Sequence, residues 1–233
     1  MALTHAEPAM LTARRRAALD LGFVIVVFLL GSAALPWLDP LLRRGHGLFG
    51  ALALAGYQFA CEGAAVVAVL LVHHESLPDY AFRRANLVVS LVLAIALALL
   101  YNLALSWHAH AILWLPFARQ PAARMSMESG TLAAALGIVI TISVWGALEG
   151  FFGVFFAKKV NAIFGHQGYG WLSPGALAFA SFNGLIHFAV GQGIRGFTAS
   201  FASGYFIGII PAVTGNAWGS ALVQTLTNAV GHI

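Results

Sequence analysis

Residues Thr131–Ala157 read TLAAALGIVITISVWGALEGFFGVFFA, and this stretch decides the fold. It exceeds the ~20 residues that a helix needs to cross a bilayer, and it holds one ionisable side chain, Glu149. A barrel strand would alternate apolar and polar residues. This run is apolar on every face. A carboxylate in hydrocarbon costs a few kcal/mol at about the least, so such a residue faces the inside of a bundle and serves a function.

Similar runs recur along the chain. Seven spans are predicted, at Ala18–Leu38, Leu48–Val72, Ala85–Trp107 (with Leu115 as its outer limit), Thr131–Ala157, Trp171–Val190, Phe197–Thr214 and Ala217–Val230. The last two are short for a full crossing. The expectation is an all-α polytopic transmembrane bundle of about seven spans, six to eight by the ~20-residue rule.

Composition agrees. Of 233 residues, 60% are hydrophobic and 9% charged, and the mean hydropathy is +0.85. Soluble domains carry about 25% charged residues, so lipid must form part of the solvent here. The length suits one bundle. Residues 1–17 read as a cytoplasmic N-terminal segment, 18–130 as N-terminal transmembrane helices, and 131–233 as the core helices carrying the polar site.

The formal net charge is +4, but Arg and Lys are spread over the connections. No basic run is dense enough for nucleic acid. Arg14, Arg15, Arg16, Arg83, Arg84, Lys158 and Lys159 fall on the N-terminal side of the predicted membrane, against Arg43, Arg44, Arg119, Arg124 and Arg195 on the other. That excess predicts a cytoplasmic N-terminus. Trp37, Trp107, Trp114 and Trp171 fall near span ends, where indoles favour the interface. The arginine cluster, the apolar run and Ser32-Ala33-Ala34 also resemble a secretory signal, although the run is long for one. The single cysteine, Cys61, excludes an internal disulfide and a cysteine-based zinc site, and reads as a packing residue.

Connections are short except Pro116–Gly130 and Lys158–Gly170. The second, KKVNAIFGHQGYG, reads as a glycine-rich loop, either a mobile gate or an ordinary connection. His73 and His74 read as solvated residues at the interface.

Four polar groups lie inside the predicted spans of the core. Glu149 has Trp145 one turn before it and small residues Gly146, Gly150 and Gly153 beside it, a spacing that admits a close neighbouring helix. Its chemistry fits a proton carrier, a general base or a ligand, or a structural carboxyl bonded across helices. His187, in WLSPGALAFASFNGLIHFAVG, has Asn183 one turn before it, placed to orient the ring or share a water. Imidazole suits acid/base work and metal binding, and also plain interhelical bonding. Gln224 and Asn228 are spaced i, i+4, on one face of the last span. Amides there act as interhelical glue or as donors to an oxyanion. Phe152 and Trp145 flank the site as candidate lining. Glu62, with Gln58 one turn earlier, is a second intramembrane carboxylate without a motif. At 1.5 Å per residue, Glu149 lies ~14 Å and His187 ~24 Å from the inner ends of their spans. Direct contact then requires the fifth span to start later, near Gly175, or the helices to tilt.

The order Glu, His, then an amide pair resembles the CAAX protease and bacteriocin-processing (CPBP, or Abi) family of intramembrane proteases. The resemblance rests on LEGFFGVFF from Leu148, SFNGLIH from Ser181 to His187, and the glycine helix and T-G turn carried by Phe201, Gly204, Gly208, Thr214 and Gly215. It covers roughly Val144 to Val230. The family's motifs are E-E-x-x-x-R, F-x-x-x-H and H-x-x-x-N. Here one glutamate of the pair and the arginine are missing, Asn183 stands four before His187, and Gln224 replaces the last histidine.

The resemblance implies an endopeptidase acting on a membrane-associated or lipidated peptide. Water would be activated by Glu149 and His187, with Gln224 and Asn228 as oxyanion or substrate donors. It leaves metal dependence open, with zinc held by His187 and Glu149 as one form and no metal as the other. The missing motif residues point equally to a non-catalytic scaffold, immunity protein or binding partner. A small transporter or a cofactor-binding membrane protein is the third reading. Membrane lipids are expected partners, and a bacterial inner membrane the expected location.

Overall fold

A computed structural model describes residues 6–42, 47–110, 126, 129–165 and 170–228. Every regular element among the described residues is helical. Helix α1 spans Ala6–Leu42, α2 Gly47–His73, α3 Leu87–Ala109, α4 Thr131–Phe164, α5 Pro174–His187, α6 Gly193–Thr214 and α7 Trp218–Asn228. Short 3-10 turns lie at Leu77–Tyr80 and Gly170–Leu172.

Five stretches are long and apolar enough to cross a membrane, namely Leu11–Leu35, Gly47–His73, Leu87–Ala109, Thr131–Phe164 and Pro174–Thr214. The outward faces agree, with Leu30, Leu71, Val88, Leu100 and Leu103 all exposed. The fifth stretch folds back on itself. Gly191 takes φ 90° inside the Phe188–Gln192 segment, a conformation that disfavours side chains. After it, α6 returns antiparallel along α5, with Phe197 against Gly184, Gly204 against Ala180 and Gly208 against Ala176. Helix α7 has 11 residues, too few to cross alone.

Helix ends follow local chemistry. His74, His110, Gly165 and Gly215 take left-handed conformations that close α2, α3, α4 and α6. Helix α3 closes at Ala109, and Leu115 lies outside the described residues. Ser173 caps α5, its Oγ accepting the Ala176 N–H, with Pro174 in the first turn. Trp114 and most of the Pro116–Gly130 connection lie outside the described residues, as does Val230 at the end of the last predicted span.

Two expectations are corrected. Lys158–Phe164 is helix, not loop. The two lysines continue α4 because each finds partners across the bundle. Lys159 is buried, with Nζ 2.8 Å from Asp20 Oδ2 and 3.1 Å from Glu75 Oε1. Lys158 Nζ donates to the Asp79 carbonyl at 2.7 Å and lies 4.0 Å over the Tyr80 ring. His73 is likewise not simply solvated, for its Nε2 is 2.9 Å from Asp20 Oδ1.

Helix α4 is the central post. Phe152, Phe155 and Phe156 are buried, and Phe152 stacks on Phe28 of α1 at 5.6 Å and meets Phe179 of α5 edge-on at 6.0 Å. The first helix is therefore an integral wall of the bundle, and Cys61 is a packing residue against Gly31. On the opposite side the expected close approach occurs. A Cβ on Gly150 would stand 2.8 Å from the Ala221 Cα, and one on Gly146 would strike Thr225. This seats α7 directly on α4. The turn before α7 is fixed by buried Asn216, whose Nδ2 donates to Arg83 O at 2.5 Å and Ala85 O at 2.7 Å.

Candidate functional site

Among the described residues two π-helical segments interrupt the helices, at Phe59–Gly63 and Ile142–Leu148, and a kink at Gly191 follows α5. The kinked Phe188–Gln192 segment begins immediately after His187; of the π segments, one contains Glu62 and the other ends immediately before Glu149. Such bulges insert a residue into the helical turn and recur at functional sites, because they turn side chains and free carbonyls. At α4 the consequence is visible. The Glu149 N–H donates to Val144 O and Gly146 O, so the Trp145 carbonyl loses its usual donor. Asn228 Nδ2 takes that place at 2.6 Å.

Glu149 is held by amides. Its Oε2 accepts from Gln224 Nε2 at 2.5 Å and from Asn228 Nδ2 at 2.7 Å. Its Oε1 accepts from Gln58 Nε2 at 3.2 Å. The same Gln58 nitrogen donates to Glu62 Oε1 at 2.7 Å. One amide of α2 thus bridges two carboxyls from different helices. The i, i+4 amides of α7 do share a face, and that face meets Glu149.

These groups surround a cavity of about 330 Å³. Glu149, His187, Gln224, Asn228, Asn183, Phe152 and Trp145 all line it, together with Glu62, Gln58 and Tyr101. The depth mismatch expected from the sequence disappears. Helix α4 ends at Phe164 and α5 begins at Pro174, so Glu149 and His187 lie ~22 Å and ~20 Å from those ends.

His187 is half-buried, and its Nδ1 is 2.9 Å from Gln192 Oε1. Gln192 follows in the kinked segment after α5, and sequence spacing alone gave it no role. Asn183 serves elsewhere than expected, its Nδ2 donating to the Ser200 carbonyl at 2.8 Å and tying α5 to α6. Both Asn228 N–H groups are directed to Trp145 O and Glu149. The partnership of Glu62 with Glu149 was also missed. Its signals were the second intramembrane acid and the Gln58 spacing, but nothing in the sequence says that α2 lies beside α4.

A catalytic zinc takes three protein ligands from nitrogen, sulfur or carboxylate donors. Among the described residues no three His, Cys, Asp or Glu side chains gather in that way. Glu149 is occupied by amide donors and His187 by Gln192, so the residues do not fit a zinc centre. No family model, no characterised protein and no solved structure matches this chain.

Proposed function

We propose that this chain is a CPBP-like intramembrane endopeptidase that hydrolyses a membrane-associated peptide without a metal. The observation that carries the reading is the shared cavity, which Glu149 and His187 both line and which is large enough for water. In this reading Glu149 takes a proton from a water held between it and His187. The water oxygen attacks the peptide carbonyl carbon, and the C–N bond then breaks. The proton passes to the leaving nitrogen, giving an acid and an amine. His187 orients the water, with Gln192 fixing its ring. Asn228 holds Glu149 in place instead of serving the oxyanion. Gln224, whose nitrogen has a second N–H, is the remaining oxyanion donor. The architecture is an all-helical bundle in a bacterial inner membrane, with the N-terminus cytoplasmic.

The test is cleavage of a fluorogenic transmembrane peptide library by the purified protein in vesicles. Glu149→Gln should lower cleavage at least ~100-fold, and Gln224→Leu ~100-fold or more, the typical loss for one oxyanion donor. Wild-type protein that cleaves no peptide, or Glu149→Gln protein that cleaves normally, overturns the reading.

A second reading is a non-catalytic binding protein of the same architecture. It is favoured by the commitment of Asn228 to Trp145 and Glu149, and of His187 to Gln192.

A further inference from the structure

Two pairs of acids in this molecule are treated in opposite ways. At the α1–α2–α4 junction, Asp20 and Glu75 meet cations, since Lys159 Nζ lies within 3.1 Å of both. In the cavity, Glu62 and Glu149 meet only amides, and neither Lys nor Arg lines it among the described residues. Two acids in a low-dielectric interior without a cationic partner are costly.

Two acceptors there also stand without a donor. Glu62 is 7% exposed and Gln224 6% exposed. Glu62 Oε2 and Gln224 Oε1 are buried without a hydrogen-bond partner among the described residues. Buried polar atoms are almost always paired, and each exception asks for a partner. Neither orphan is a matter of amide orientation. Turning the Gln224 amide over would set its oxygen against Glu149 Oε2, so the network fixes it. A proton on Glu62 would add one donor and leave Gln224 Oε1 as it is.

We infer that this cavity binds an apolar amine through its ammonium group. An ammonium carries three N–H donors and one positive charge, which answers both deficits when the buried oxygens of Glu62 and Gln224, residues that line the cavity, turn toward it. The rest of the wall mixes four phenylalanines, Phe28, Phe152, Phe179 and Phe182, with aliphatic and hydroxyl side chains such as Leu54, Ile207 and Ser203. That wall suits an apolar body and attracts a cation. At about 330 Å³ the space holds a small organic amine and far exceeds a bare alkali cation. A lysine side chain or a peptide N-terminus belongs to the same chemical class. The inference stands apart from peptide hydrolysis, since binding requires no turnover.

The test uses the full chain in detergent micelles at fixed ionic strength, with the unfolding temperature followed against ligand concentration. The probes are 2-phenylethylammonium chloride, 2-phenylethanol and sodium chloride. The ammonium should stabilise the protein with an affinity at least ~10-fold tighter than the alcohol, as a charge-assisted bond requires. Glu62→Gln, which keeps shape and loses charge, should weaken the ammonium ~10-fold and leave the alcohol unchanged. If that variant fails to fold, the wild-type comparison of the three probes decides alone. Equal binding of alcohol and ammonium overturns the inference, as does equal stabilisation by sodium, which would mark an alkali-cation site. Stabilisation by none of the three also overturns it, with water serving the orphan acceptors. Peptide cleavage is measured on the same preparation. Ammonium binding without cleavage overturns the hydrolase reading only, and cleavage without ammonium binding overturns this one only.

Discussion

Asn228 shows how much one side chain carries here. Its two N–H groups serve a carbonyl released by the α4 bulge, at 2.6 Å, and the Glu149 carboxyl, at 2.7 Å. Both acceptors lie inside the bundle, where water is scarce. Asn228→Leu preserves volume and removes both donors, so the Trp145 carbonyl loses this partner outright and Glu149 loses one of its three amide donors. A buried acceptor without a partner costs about 1–3 kcal/mol. The variant should therefore unfold with a stability loss of about 2–4 kcal/mol, read by chemical denaturation of the purified protein in micelles. A loss below ~0.5 kcal/mol, the size of an ordinary surface substitution, would mean that this amide does not hold the site. Glu149, Gln224 and Asn228 were legible in the sequence because ionisable and amide groups stand out against apolar helices. Glu62 stood out equally, but its partner did not. The Glu62–Gln58–Glu149 bridge depends on which helices are neighbours and on the phase shift of two π bulges, and neither leaves a mark in residue spacing.

At the scale of elements, the α4–α7 pair illustrates what spacing does reveal. Gly146 and Gly150 are one turn apart and both meet α7, as small residues at an interhelical seam do. Gly150→Ala places a methyl 2.8 Å from the Ala221 Cα and 2.9 Å from the Ser220 carbonyl, both backbone atoms. Neither can swing aside, so the helices must separate. The expected cost is about 1–3 kcal/mol, with the Glu149–Gln224 bond lengthened and any activity lost. Gly22→Ala is the matched control, because a Cβ there meets nothing within 4 Å. It should be neutral or stabilising by up to ~1 kcal/mol from helix propensity. Equal effects of the two substitutions, in the same unfolding assay, would dismiss the seam. Helix boundaries were less legible than seams. Lys158 and Lys159 read as loop charges because two adjacent lysines rarely continue an apolar helix. Here Asp20, from α1, and Glu75, just beyond α2, make that continuation possible. A pair formed across 139 residues of sequence is invisible to any local pattern. The break between the spans predicted at Trp171–Val190 and Phe197–Thr214 was legible, and Gly191 and Gly193 take positive φ there, whereas length and apolarity alone would join α5 and α6 into one span.

For the molecule as a whole, the Asp20–Lys159–Glu75 cluster is the clasp that joins α1, α2 and α4, and Glu75 is the member outside the membrane-spanning stretches. Burial pushes the Glu75 carboxyl up, but the hydrogen bonds from Tyr80 and Lys159, and the charges of Lys159 and Lys158, outweigh it and hold it below its ordinary 4.5. Asp79 also lies below its ordinary value, held by the Ser76 backbone N–H and hydroxyl. Tyr80 is displaced the other way, raised by burial and by its bond to Glu75. A carboxyl whose folded value is depressed binds a proton more readily when unfolded. Its contribution is therefore complete above the ordinary value and is lost as pH falls through the folded one. A raised tyrosine keeps its contribution below its ordinary 10.0 and loses it only as pH rises further. Across neutral pH neither group titrates, so their joint contribution to the unfolding temperature should stay level from about pH 8 to pH 5 and fall below about 4.5, the ordinary carboxyl range. Glu75→Gln removes the depressed group. It should lower stability at pH 7 and flatten the decline between pH 5 and pH 3, because less is left to protonate. Added salt should change little, since Lys159 is buried from counterions. Thermal unfolding of both proteins across that range checks each part, and a Glu75→Gln curve parallel to the wild type would mean that the clasp is not closed by Glu75.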